Sequence, residues 1–254
     1  MPGRRIRFVY AAVAMAAIVM GVAACAPERV PNTEPHASAA APAPPTDKPK
    51  AFFNRNAYSI DDPASNWVVV NKLRPLNPTT YTPELVTSTV PHVSTPLMRE
   101  EAARAMEAMF AAAVAEGGGT MQIQNSYRSL AVQTNTHNRL VAQLGVEKAR
   151  AQSAVPGYSE HQTGLAADIA ALPSNCDVAQ CFAGTPQGIW LAANSWRFGY
   201  ILRYPADKTP ITGYIFEPWH YRYVGVSLAT EMHETATSTL EEFFGLPPAP
   251  DYAN

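Results

Sequence analysis

Apolar residues recur at helical spacing through Ala102, Met106, Met109, Phe110 and Ala113, and Gly117–Gly119 stops the run. Thr95-Pro96 resembles the start of that helix, since proline suits a first helical position. Met121-Gln122-Ile123-Gln124 then alternates as a strand does. Residues Ser129 to Leu144 read as a second helix that Gly145 ends. Beyond a loop through Pro156 and Gly157, Leu165 to Ala171 forms a short apolar strand broken by one acid, Asp168. Thr185-Pro186 opens a further helix running through Trp196. Two strands, Phe198 to Arg203 and Gly213 to Phe216, are predicted on either side of a turn at Pro205 to Pro210. A helix from Val226 and a shorter one near Leu240 close the pattern, and Trp67 to Val70 is an early β-branched run. Helices come first and strands cluster later, which predicts an α+β fold rather than alternating βαβ units.

The first residues follow another logic. Arg4, Arg5 and Arg7 precede 17 uncharged, mostly apolar residues from Phe8 to Ala24, the layout of a secretory signal peptide. The run ends in Val22-Ala23-Ala24-Cys25, which resembles a bacterial lipoprotein processing site where Cys25 becomes the lipidated first residue. Ordinary cleavage nearby and an uncleaved anchor remain alternatives, because the run sits at the lower limit for a bilayer span. Residues 26–50 hold seven prolines and six alanines, a composition that gives a semi-extended tether. The expected organisation is a signal peptide over 1–24, a lipidated cysteine and tether over 25–54, a folded domain over 55–246 and a tail over 247–254. Localisation is then extracytoplasmic, on the membrane and facing the wall.

Composition narrows the choice of partner. The whole chain carries 19 basic and 21 acidic side chains, and loss of the three early arginines makes the rest more acidic still. No concentrated basic face exists for nucleic acid. An exported chain favours disulfides, so Cys176 and Cys181 are expected to bridge; a metal role would need further thiol or imidazole neighbours at short spacing, which the sequence lacks.

Of six histidines, two stand in chemically suggestive company. His161 lies in Ser159-Glu160-His161-Gln162-Thr163-Gly164-Leu165-Ala166-Ala167-Asp168, and His220 in Glu217-Pro218-Trp219-His220-Tyr221-Arg222. An acid within an apolar strand must be paired, hydrogen-bonded or bound to a cation. Two imidazoles and one carboxylate suit zinc and leave a fourth position open for water. Glu217 could then shuttle the proton of that water. The competing reading makes Asp168 a turn cap and both histidines ordinary buried residues.

The Ser-x-His-x-x-Gly-x-Ala-x-Asp pattern over Ser159 to Asp168 and Glu-Pro-Trp-His-x-Arg over Glu217 to Arg222 resemble the two signatures of the VanY-type D-alanyl-D-alanine carboxypeptidases. Tyr127-Arg128-Ser129, Phe198-Gly199-Tyr200, Arg203-Tyr204-Pro205 and Thr212-Gly213-Tyr214 follow in that family's order, and the likeness spans about residues 65 to 245. The resemblance implies a small antiparallel sheet flanked by helices, the fold shared with hedgehog signalling domains and D-Ala-D-Ala dipeptidases. It implies one zinc per chain held by His161, Asp168 and His220, with Glu217 as the catalytic base in preference to the neighbouring Glu160. The implied substrate is the peptidoglycan stem peptide ending in D-Ala-D-Ala. Arg128 would bind the terminal carboxylate or stabilise an oxyanion. Gln133 and Ser159 are further substrate contacts, Trp219 a wall beside the metal, and Arg222 a brace. A monomer is expected. The same centre could instead serve L,D-carboxypeptidase or endopeptidase action, and a non-catalytic wall-binding module is the alternative from another class.

Overall fold

The computed structural model describes residues 52–253. The signal peptide, Cys25 and the tether up to residue 51 lie outside them. In chain order the elements begin with β1 (Val86–Thr87), β2 (Leu97–Met98), α1 (Glu100–Ala115), β3 (Met121–Asn125), α2 (Leu130–Leu144) and α3 (Val146–Arg150). A 3-10 turn over Glu160–Thr163 leads into β4 (Ala166–Ala171), followed by α4 (Pro186–Asn194) and β5 (Tyr200–Leu202). The one-turn α5 (Thr209–Thr212), β6 (His220–Tyr223), α6 (Val226–Glu234) and α7 (Leu240–Phe244) complete the order. β1 and β2 pair with each other, while the larger sheet is antiparallel in the order β3-β4-β6-β5.

α1 buries Ala102, Met106, Met109, Phe110 and Ala113 against this sheet. Ala167, Ile169 and Ala171 of β4 point into the same cluster, so alternation sends Asp168 to the opposite face. A second core gathers Trp67, Val69, Ile201, Leu228, Met232, Leu240 and Phe243. Side chains start several helices: Ser129 accepts from the amide of Val132, Thr185 from Gly188 and Thr239 from Glu242.

Four expectations need correction. The first helix begins at Glu100, not Thr95, because Leu97–Met98 pairs with β1 and Pro96 accepts the amide of Ser88. Gly213 to Phe216 is not a strand. Gly213 takes a φ of +80°, and a side chain there would meet the carbonyl oxygens of Ala249 and Pro250. The partner of β5 is instead His220–Tyr223. Trp67 to Val70 is buried but joins no ladder, since the Val68 and Val69 carbonyls accept from the side chains of Arg222 and Arg74. Lastly, the expected tail packs back on the body: Ala249 is fully buried and its amide donates to Ile211, while the Tyr252 hydroxyl accepts from Val155.

Candidate active site

Register assembles the site. Asn125 on β3, Asp168 on β4 and His220 on β6 are successive cross-strand partners, so three side chains line up across the sheet. His161 arrives from the 3-10 turn just before β4. Gly164, at φ +71°, ends that turn where a side chain would meet Leu85 and Arg99, and so lets the chain enter the strand at once.

Two hydrogen bonds decide which nitrogens face inward. His161 Nδ1 donates to the Ser126 carbonyl at 2.7 Å, leaving Nε2 with a lone pair 3.4 Å from Asp168 Oδ1. His220 approaches Glu160 Oε2 through Nε2 at 3.4 Å, which turns its Nδ1 toward the same Asp168 oxygen at 3.3 Å. The other Asp168 oxygen accepts from Asn125 at 3.3 Å. His161 Nε2 and Asp168 Oδ1 are buried with no hydrogen-bond partner. Orphaned polar atoms at such depth are costly unless something fills the gap. Around a tetrahedral ion with bonds of about 2.0–2.1 Å, ligand atoms stand about 3.3–3.4 Å apart, as Asp168 Oδ1 does from each histidine nitrogen; all three atoms lie within 4.8 Å of one another, and two nitrogens with a carboxylate oxygen suit zinc. The three side chains fit that ion.

Charge supports the same assignment. Burial and the nearby Arg128 lower His161 to about 4, against the pull of Asp168, so its imidazole stays neutral and able to ligate. Burial alone would raise Asp168, but the two histidines outweigh it and hold the carboxyl well below the usual range. Burial also opposes a charge on His220, yet Asp168 and Glu160 raise it to about 9. A proton and a cation therefore compete for the His220–Asp168 edge. Glu217 sits in the turn before β6 with Oε2 at 3.9 Å from His220 Nδ1, and burial raises its carboxyl to about 8.

These groups floor a cavity of about 280 Å³. Arg128, Ser159 and Trp219 line it. The Arg128 backbone amide donates to the His161 carbonyl, and its Nε is buried without a partner. Gln133 is not on the wall. It lies fully buried and donates to Ser153 Oγ and the Ala154 carbonyl, two residues that do line the cavity. Glu160, although at the site, is held by Arg203 Nε and Arg222 Nη1, each at 2.9 Å, and braces His220 from behind. Arg222 is a brace, fully buried and bonded to Glu160 and the Asn66 and Val68 carbonyls. The Cys176–Cys181 disulfide is present. Sequence reasoning missed Asn125, Arg139, Tyr204, Tyr214 and Val178 as lining residues. Both tyrosines stand inside quoted motifs and Asn125 ends the alternating strand, so signals existed for those three; Arg139 and Val178 carry none.

Known proteins place this architecture. The chain is similar in structure to the LdcB LD-carboxypeptidase, at 38% identity and a TM-score of 0.67 over 72% of this chain and 87% of that one. It is also similar to a variant of the vancomycin resistance D,D-pentapeptidase VanY from the VanB-type cassette, solved with Zn(II), at 33% identity and a TM-score of 0.59 over 71% and 98% of the two chains. The fold is thus that of the VanY- and LdcB-type peptidases. Over 147 residues the chain is 41% identical to a D-alanyl-D-alanine carboxypeptidase of Enterococcus faecalis (strain ATCC 700802 / V583), covering 54% of this chain and 52% of the relative. It spans about half the length of the curated relatives it matches. The VanY D-alanyl-D-alanine carboxypeptidase model matches residues 95–226, and the chain belongs to that family.

Proposed function

We propose that this chain is a zinc D-alanyl-D-alanine carboxypeptidase that removes the terminal D-alanine from peptidoglycan stem peptides. The observation that carries the reading is the convergence of His161 Nε2, Asp168 Oδ1 and His220 Nδ1, the first two buried and unpaired, beside the buried carboxyl of Glu217. One zinc held by those three atoms would polarise a carbonyl and make water nucleophilic near neutral pH. Glu217 takes the proton from the attacking water and returns it to the departing D-alanine amine. Its raised pKa suits both halves of that transfer, and a neighbouring dication would favour its carboxylate form. Arg128, with an unpaired guanidinium nitrogen at the cavity, binds the terminal carboxylate through parallel hydrogen bonds. Ser159 and Trp219 shape the wall, and Gln133 acts at one remove by fixing Ser153 and Ala154.

The export signal, lipidation of Cys25 and the Pro/Ala-rich tether would keep a monomer outside the cytoplasm, anchored to the membrane within reach of the wall. The test is Glu217→Gln, expected to retain one zinc yet lose about 10²–10⁴-fold in D-alanine release. Full activity in that variant would remove Glu217 from the mechanism. A second reading, L,D-carboxypeptidase action, is favoured by the likeness to LdcB. Mass analysis separates the two: a defined pentapeptide cut to a tetrapeptide supports the first, and a tetrapeptide cut to a tripeptide with the pentapeptide left intact supports the second.

A further inference from the structure

The loop between β4 and α4 carries two features that the fold alone does not call for. Cys176 and Val178 both adopt positive φ, +59° and +48°. For a β-branched residue this is a costly backbone conformation that glycine or asparagine would adopt with less strain. Val178 is also 46% exposed, so its isopropyl group gains little from burial. Its neighbours are firmly held. Cys176 is closed onto Cys181 with the two Cα atoms 5.5 Å apart, Gln180 donates to the Phe216 carbonyl just before Glu217, and Phe182 is fully buried. A pinned loop thus presents one strained, exposed valine to the cavity that Arg128, Glu217, His161, Asp168 and His220 also line.

We propose that Val178 is a specificity-determining lip, whose isopropyl group packs on the aliphatic side chain of a peptide substrate beside the scissile bond. The inference rests on the carboxypeptidase reading, since it takes the cavity as the substrate cleft. Strain held at a residue whose side chain serves nothing inside the fold is a recurrent mark of ligand contact. Leu140, Ala154 and Trp219 are further apolar residues lining the same cavity.

Three variants test it in the zinc-loaded enzyme: Val178→Asn and Val178→Gly, which relieve the backbone, and Val178→Ile, which keeps the apolar lip. Asn and Gly are expected to raise KM for an acyl-D-Ala-D-Ala peptide about three- to tenfold, with kcat within about twofold and a thermal midpoint no lower than wild type. Ile is expected to keep the KM of wild type. An unchanged KM in both Asn and Gly overturns the proposal, and so does a raised KM accompanied by a lowered midpoint, which would make Val178 a structural residue. Calorimetric affinity for the same peptide in a Glu217→Gln background reads the lip apart from turnover. If wild type cleaves no stem peptide, the proposed function fails, while the ratio of affinities between Val178 and its variants still decides the lip.

Discussion

Two buried polar clusters meet at His220, and they are built to opposite rules. In front, His161 Nε2, Asp168 Oδ1 and Arg128 Nε are buried without hydrogen-bond partners. Behind, Glu160, Arg203, Arg222, Glu241 and Asn71 leave no orphaned atom among the described residues. Arg203 binds Glu241 through two nitrogens at 2.7 and 2.9 Å and Glu160 through its third, while Asn71 donates to Glu241 and Arg222 to Glu160. Two guanidinium and two carboxylate groups balance in charge there, and all four side chains are fully enclosed. A buried network whose members are all paired specifies one arrangement, whereas one left open keeps both acceptors and a donor available to a ligand. Glu160 joins the two, because the scaffold behind it fixes which His220 nitrogen faces the opening.

The sharpest way to break this contrast is to remove a partner from the closed cluster. Arg203→Met leaves Glu160 and Glu241 with one cation between them in a fully buried setting. We expect a loss of about 3–5 kcal/mol in urea unfolding of the zinc-free protein. A loss below about 1 kcal/mol would mean that the network is not structural.

A smaller effect should follow acid titration of the same cluster. Burial would raise the Glu241 carboxyl, but Arg203 and a hydrogen bond from Asn71 outweigh it and lower its pKa below the ordinary value of 4.5. A carboxyl depressed in the folded state contributes stability above its unfolded pKa and loses it as pH falls through the folded value. Stability should therefore decline below about pH 4.5, and Glu241→Gln should flatten that decline while lowering the plateau above it. An identical acid slope in wild type and variant would show that Glu241 does not carry this charge.

These clusters differ as much in legibility as in chemistry. The open one announces itself: Asp168 interrupts an apolar strand, and the two short motifs hold both histidines and Glu217 within a few residues. The closed one is invisible to local pattern, since Arg203 and Glu241 are separated by 38 positions and Arg222 and Glu160 by 62. The same gap explains the missed strand. β6 gives no strand pattern because His220 and Arg222 are polar, yet both are buried by partners brought from elsewhere. Conversely, Trp67 to Val70 has the composition of a strand, but an arginine side chain from β6 takes a carbonyl that a ladder would need. Helix α1 was legible because its apolar face repeats without interruption. Which nitrogen of each histidine turns inward was not, being decided by the Ser126 carbonyl and by Glu160.

The mildest change expected lies in the open cluster, and it tests the contrast from the other side. Asp168→Asn keeps the shape of the side chain while exchanging an acceptor for a donor. An amide nitrogen in the place of Oδ1 would stand 3.4 Å from the orphaned His161 Nε2 and 3.3 Å from His220 Nδ1, with the amide oxygen still able to accept from Asn125. The substitution thus offers a donor to the orphaned lone pair of His161 Nε2, and it removes the buried charge that helps hold a proton on His220, so that Nδ1 too can accept once that proton is lost. In the zinc-free protein we expect stability within about 1 kcal/mol of wild type, the new amide bond to His161 offsetting the lost pairing with His220. Zinc should then no longer raise the thermal midpoint, because the carboxylate ligand is gone, whereas wild type should gain about 4 kcal/mol at a thousandfold excess of zinc over its dissociation constant. A zinc-free Asp168→Asn protein as damaged as Arg203→Met would mean that the front cluster is held together by its own bonds, and the distinction between a closed scaffold and an open site would fail.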